Sequence, residues 1–207
     1  MSVHGKFQLA AVILAAGESR RFGSAKALLQ WENDNFVNTL VRKANLAGYF
    51  PVITVLGANH SQILETLTCE TVVVINDRWA EGQSTSIRAG LTALPESVEG
   101  ALFMLCDQPQ LSLTFLDALR EAARSSHKIV RPYFGGTPGN PVYFPREAFP
   151  LLETLTGDQG GRAVMDQFRS VSLEWIDETM GLDTDTPDQY LRLRHLYGLE
   201  QPKPDGV

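Results

Sequence analysis

No apolar stretch of the 207-residue chain approaches the roughly 18 consecutive apolar residues that a membrane-spanning helix needs, so no membrane partner is expected. Cysteine is scarce. Cys69 and Cys106 are the only two and lack the paired spacing of a zinc site, which excludes a disulfide scaffold and argues against structural zinc. Two free thiols suit a reducing compartment. Histidine is sparse too. His4, His60, His127 and His195 are scattered and read as surface or structural residues, with no triad or metal spacing. Basic residues are in deficit, 18 Lys and Arg against 24 Asp and Glu. The net charge of −6 disfavours a nucleic-acid surface but not a small positive pocket. The first eight residues carry no apolar h-region, so no signal peptide is expected and the cytoplasm is the expected location. Between positions 14 and 26 the glycines are Gly17 and Gly23 alone. That gives neither Gly-x-x-x-x-Gly-Lys-Ser/Thr nor Gly-x-Gly-x-x-Gly, which disfavours a P-loop and a dinucleotide-binding redox protein. No repeat, low-complexity tract or interdomain linker is visible.

What remains is an ordinary globular composition, 43% hydrophobic and 20% charged, large enough for one domain with a substantial core. That domain is expected over 1–200, with the Pro/Gly-rich 201–207 as a frayed tail. Short apolar runs at 9–14, 52–56, 71–75 and 101–105 read as strands buried on both faces. Amphipathic segments at 38–48, 59–67 and 84–94 read as helices between them. A fourth helix carries the stripe Phe115, Leu116, Leu119, Ala122, Ala123, with Ser112 as its N-cap. This alternation predicts an α/β fold with a mostly parallel sheet. Near 128 the texture changes. Runs at 129–133 and 141–144, joined by a Gly-rich loop, predict a small β-excursion off the parallel sheet. Short helices near 145–153 and 159–168 and a strand over 171–176 follow. Thr186-Pro187-Asp188-Gln189 then has the N-cap, first-position Pro and third-position Gln of a capping box. Trp31, Trp79 and Trp175 read as packing residues.

The most informative stretch follows the first strand: Leu14-Ala15-Ala16-Gly17-Glu18-Ser19-Arg20-Arg21-Phe22-Gly23-Ser24-Ala25-Lys26. Small residues let the backbone approach a ligand, with N–H groups aimed at phosphate oxygens. Arg20, Arg21 and Lys26 supply countercharge. Cys106-Asp107-Gln108-Pro109 sits at the C-terminal end of another strand, the edge where open α/β sheets bind ligands. A carboxylate there can hold a magnesium ion against a triphosphate, or can simply serve the turn. Asp183, Asp185 and Asp188 lie just before or at the start of the last helix, where the helix dipole alone favours acid. Gly82-Gln83-Ser84-Thr85-Ser86 opens a helix, either as a phosphate or base contact or with Ser84 as a plain N-cap. By themselves 138–142 and 157–162 are a turn and a helix start.

The loop resembles the signature Leu-Ala-Ala-Gly-x-Ser-x-Arg-x-Gly-x-x-Lys of nucleotidyltransferases, most closely the MocA-type molybdenum cofactor cytidylyltransferases. Other segments resemble the same family: Cys106-Asp107-Gln108-Pro109 its Gly-Asp-Gln-Pro, Gly82 to Ile87 its Gly-Met-Ser-x-Ser-Leu, Gly139 to Val142 its Gly-His-Pro-Val, Gly157 to Arg162 its Gly-Asp-x-Gly-Ala-Arg, and Asp183 to Asp188 its Asp-x-Asp-Thr-Pro-Glu-Asp. Cys106, Gln83 and Asn140 replace the family's Gly, Met and His. The resemblance runs from about 9 to 197 and implies a single-domain Rossmann-like nucleotidyltransferase fold. It implies catalytic roles for Arg20, Lys26 and Asp107, and a nucleotide site of Leu14, Ala15, Ala16, Gly17, Ser19, Arg20, Lys26, Gly82, Ser84 and Ser86. It implies acceptor contacts by Gln108, Asn140, Asp158 and Arg162, and Mg²⁺ held by Asp107 and Asp185. The implied reaction joins CTP to molybdopterin or molybdenum cofactor with release of pyrophosphate, a molybdenum enzyme being the client. Ala16 matches the cytidylyl branch, whereas guanylyl relatives carry Gly there. The alternatives are another phosphorylated acceptor, such as a sugar phosphate or methylerythritol phosphate, and a non-catalytic cofactor carrier.

Overall fold

The computed structural model describes residues 8–19, 22–23 and 25–199. In chain order the elements are β1 (Leu9–Ala15), the short pair β2 (Gln30–Trp31) and β3 (Asp34–Asn35), α1 (Phe36–Leu46), β4 (Val52–Leu56), α2 (His60–Thr66), β5 (Val72–Ile75) and α3 (Gln83–Thr92). β6 (Gly100–Leu105), α4 (Leu113–Ser126), β7 (Ile129–Phe134), β8 (Thr137–Pro138), β9 (Val142–Pro145), α5 (Phe149–Glu153), β10 (Ser170–Trp175) and α6 (Pro187–Leu196) follow. Among the described residues no helix is long and apolar enough to cross a membrane.

β1 is apolar throughout because it lies in the middle of the sheet, order β10-β7-β9-β6-β1-β4-β5, with both faces covered. It pairs in parallel with β4 on one side and β6 on the other. Its residues alternate between two cores. Leu9, Ala11, Ile13 and Ala15 face α1 and α4, meeting Leu40, Phe115 and Leu116. Ala10 and Val12 face α3 and α5, meeting Ile87, Leu91 and Leu152. Each fully buried Leu or Ile contributes about 1.5–3 kcal/mol. Two caps set the frame. The Ser112 side chain accepts from Phe115 N–H at the start of α4, and Thr186, Pro187 and Gln189 form the capping box that starts α6.

The structure refines three expectations. β5 is an edge strand with Val72 49% and Ile75 39% exposed, not a strand buried on both faces. Among the described residues nothing pairs beyond it in the sheet, and its side chains keep solvent contact. The β-excursion stays within the sheet. β9 lies antiparallel between β6 and β7, held there by four buried residues, and only β8 hangs from β7 as a short hairpin. Finally, Ser84 does not cap α3. The cap position is Gly82, and Ser84 is fully buried one step inside the helix.

Gly82 marks a point the fold cannot vary. Its φ of +112° and ψ of 171° suit glycine almost alone, and a Cβ there would stand 2.2 Å from the Gly157 carbonyl carbon. Gly82→Ala is expected to destabilise by about 3 kcal/mol, a fall of roughly 6–12 °C in Tm by calorimetry. An unchanged Tm would show that the 157–158 loop gives way freely.

Candidate active site

Parallel strands gather their C-terminal ends on one edge, and three chain segments meet there. The first is the loop leaving β1. Ser19 adopts a left-handed backbone (φ 56°), and its hydroxyl accepts the Lys26 N–H at 3.1 Å, folding the loop back on itself. That delivers Lys26 to the front of the sheet. The second is the turn after β6, carrying Asp107. The third is the 182–186 segment, tied to the second by two amides. Gln108 Nε2 donates to Asp183 Oδ1 at 2.9 Å, and Gln110 Nε2 donates to the Leu182 carbonyl at 2.7 Å.

Lys26 Nζ contacts Asp185 Oδ1 at 2.7 Å and Asp107 Oδ2 at 3.3 Å. The two carboxylate oxygens share that ammonium, so they stand no farther apart than the sum of the contacts, about 6 Å. Burial pushes Asp107 above its ordinary range. Lys26 opposes that, and the Asp185 charge adds to it. Burial works against the Lys26 ammonium, but the Asp107 and Asp185 carboxylates prevail and hold its pKa above the usual lysine value. Desolvation and the charges of Asp107 and Asp185 push Asp183 up to about 6, in a residue open enough for water to screen part of the effect.

The donor set fits a divalent cation. Asp107 Oδ1 is buried with no hydrogen-bond partner, a hard oxygen left without a counter-group. Among the described residues no cluster of three or more His, Cys, Asp or Glu is arranged to hold a metal. A cation here would take two protein carboxylates and complete its shell with water and substrate phosphate, the usual arrangement for a small hard ion.

Two cavities adjoin this point. The first, about 530 Å³, is lined by Leu14 to Ser19, Lys26, Gly82, Gln83, Ser86, Asp107 and Asp158. The second, about 300 Å³, is lined by Gln108, Arg131, Asn140, Arg162 and Asp183 among others. Leu14, Gln83 and Leu105 border both.

Most of the residues singled out from the sequence meet here. Leu14, Ala15, Ala16, Gly17, Ser19, Lys26, Gly82 and Ser86 line the first cavity. Ser84 does not. Its N–H donates to the Gly157 carbonyl at 3.0 Å, and helical rotation turns its side chain inward. Gln108, Asn140 and Arg162 line the second cavity, whereas Asp158 lines the first, carried there by the contact of its loop with Gly82. Arg20 and Arg21 lie outside the described residues. Cys106 is buried beside Asp107 on the first cavity, where burial pushes its thiol well up and leaves it an inert wall. Trp79, read as packing, also borders the first cavity, while its Cβ sits against the Gly57 backbone. Sequence reasoning missed Arg131. The available signal was an arginine inside the otherwise apolar and aromatic strand Ile129–Phe134.

A strand-to-loop cradle, a lysine between two carboxylates, and a second cavity beside them suit transfer between two bound phosphate compounds. Residues 11–172 match the MobA-like NTP transferase domain. The chain belongs to the MobA-like NTP transferase family. Among proteins similar to it is the purine catabolism protein PucB of Bacillus subtilis, 29% identical over 90% of this chain and 96% of its own. The molybdenum cofactor cytidylyltransferase of Escherichia coli is 26% identical over 90% of this chain and 95% of its own. A solved structure of Rv0371C from Mycobacterium tuberculosis in complex with manganese superposes with a TM-score of 0.73 at 26% identity, covering 90% of this chain and 97% of that one. In this MobA-like NTP transferase, then, the matched span contains β1 from Ala11 onward with its loop, Lys26 and Asp107, while Asp185 lies beyond it.

Proposed function

We propose that the protein transfers CMP from CTP to the phosphate of molybdopterin or molybdenum cofactor, releasing pyrophosphate. The observation that carries this reading is the meeting of two cavities at Asp107–Gln108, with Lys26 held between Asp107 and Asp185. The first cavity is sized for a nucleotide, the second for part of a phosphorylated heterocycle. The likeness to the Escherichia coli cytidylyltransferase supports the choice of substrates.

In the proposed reaction an acceptor phosphate oxygen attacks the α-phosphorus in line. A new P–O bond forms as the bond to the β-phosphate oxygen breaks, and the electron pair leaves with pyrophosphate. No general base is needed, since the acceptor phosphate is already ionised at neutral pH. The chain contributes position and charge. Backbone N–H groups of Ala15 to Gly17 face the triphosphate. Lys26, with Arg20, neutralises the β- and γ-phosphates and the leaving group. Gln108 and Asn140 orient the acceptor. Asp107 and Asp185 would hold Mg²⁺, which when bound offsets the charge that grows on the leaving pyrophosphate. The manganese complex of the mycobacterial neighbour supports a divalent ion in this fold.

A pyrophosphate-release screen of four nucleoside triphosphates against phosphorylated acceptors, molybdenum cofactor included, tests the reading. The expected pair is CTP with molybdopterin or its molybdenum form. Turnover only with a sugar phosphate or methylerythritol phosphate would replace the acceptor, and no turnover with any pair would remove the reading. CTP is expected to win over GTP at equal concentration. Ala16 is buried on the wall of the first cavity, and its methyl takes space a purine would need. Ala16→Gly is expected to weaken that preference. A GTP preference in the parent protein would refute the assignment.

A further inference from the structure

The second cavity holds two guanidinium groups, of which the family resemblance accounts for Arg162 alone and leaves Arg131 without a role. Arg131 is on β7, where strand alternation fixes its direction. Ile129, two residues earlier, packs in the core on the α3–α5 face, while Val130 and Phe134 pack in the opposite core. Arg131 therefore points into the cavity bounded by Phe144, Met165 and the 137–140 loop, and Arg162 lines the same space.

A half-buried guanidinium is ordinarily paired with a carboxylate. Arg131 Nε is buried without a hydrogen-bond partner. The Tyr133 ring stands 5.9 Å from its guanidinium carbon, a cation–π contact that cannot neutralise it. Burial lowers the Arg131 pKa and the Arg162 charge lowers it further, with Tyr133 and Asp166 opposing. A guanidinium stays protonated at neutral pH all the same. Two like charges thus share one small cavity with a carboxylate, Asp183, that accepts from Gln108 and forms no ion pair with either guanidinium among the described residues, so a bound anion would relieve their repulsion.

We propose that Arg131 and Arg162 form a two-guanidinium clamp for the phosphomonoester of the acceptor, Arg131 being the residue that makes the cavity select a dianionic substrate. This rests on the reading of the second cavity as the acceptor site. Guanidinium forks match phosphate oxygens in pairs, which gives direction as well as charge. The clamp also answers a problem of the reaction. A phosphate must come within about 3–3.5 Å of a triphosphate, and the two repel unless each is neutralised on its own side. Lys26 serves the nucleotide, and Arg131 with Arg162 serves the acceptor.

Arg131→Gln and Arg131→Lys test the clamp, each checked for folding by circular dichroism. Arg131→Gln is expected to raise the KM for molybdopterin by about tenfold or more while the CTP KM stays within about twofold. Arg131→Lys should fall between, since it keeps charge and loses the fork. Inorganic phosphate provides a probe that needs no turnover. In wild-type protein it should shift the backbone amide resonances of 131, 139–140 and 161–162, and Arg131→Gln should abolish those shifts. Shifts confined to the 14–26 loop would overturn the clamp, as would an unchanged acceptor KM with unaltered phosphate shifts. Lost phosphate shifts with an unchanged acceptor KM would overturn it differently, by detaching the anion site from the acceptor. If no acceptor is turned over, the reading of the reaction fails, and the phosphate titration still decides whether Arg131 binds an anion.

Discussion

Asp107→Asn and Asp185→Asn are each expected to lower kcat/KM for pyrophosphate release by on the order of 10²–10³ while the protein stays folded. Asn keeps the shape of Asp and removes its charge. The two carboxylates stand within about 6 Å of one another on a shared ammonium, near enough to act on one triphosphate-bound cation. Asp107 Oδ1 is buried and unpartnered, so its charge is maintained at a cost that the fold does not need. Removing that charge relieves a buried carboxylate and leaves Lys26 paired with Asp185 at 2.7 Å. Stability should therefore change by about 1 kcal/mol or less in Asp107→Asn. Nucleotide binding measured without Mg²⁺ should hardly move, whereas binding with Mg²⁺ should weaken in both variants. Full Mg²⁺-supported turnover in either one would show that its carboxylate is not a metal ligand.

Lys26→Ala is expected to reduce turnover by about ten- to a hundredfold, the worth of one charge-assisted phosphate contact of about 1.5–3 kcal/mol. It has a second consequence, which follows from the geometry. Lys26 is the common partner of Asp107 and Asp185, so its loss removes the ammonium that the two carboxylates share. The variant should be less stable by about 1–3 kcal/mol in EDTA. Added Mg²⁺ should recover more of that loss than it adds to the parent protein, because the ion takes over the missing charge. Thermal denaturation with and without Mg²⁺ reads this directly. Near-parental kinetics in a folded variant would remove Lys26 from phosphate binding, and equal Mg²⁺ effects on both proteins would separate the carboxylates from the ion.

The physical basis of what could be read in advance is local. The all-apolar Leu9 to Leu14 run admits only a strand covered on both faces, and β1 is that strand. Ser112 and the Thr186–Gln189 box satisfy helix N–H groups within four residues, so both helix starts were legible. The site was partly legible for the same kind of reason. Asp107 sits in the turn just after a strand, and strand ends in a parallel sheet share an edge.

What was not legible depends on neighbours distant in the chain. β5 has the same Val- and Ile-rich composition as β4, yet it is an edge strand, because strand order is decided by crossovers and not by composition. β9 sits inside the sheet since its partners β6 and β7 leave a place between them. Ser84 and Ser86 are alike in sequence, but the Gly157 carbonyl claims the N–H of the first and helical rotation gives the second to the cavity. Arg131 reads as an oddity in a strand until Arg162 appears across the same cavity.

The sequence by itself determined the α/β alternation, the buried central strand, the capped helix starts and the small-residue loop that ends in Lys26. These follow from side-chain period, backbone freedom and short-range hydrogen bonds. The tertiary structure alone decided that Lys26 meets Asp107 across 81 residues and Asp185 across 159, and that two cavities open on either side of that contact. Contacts of that span are set by the order in which strands pack and by the amides of Gln108 and Gln110 that pin one loop to another, and no local pattern encodes either.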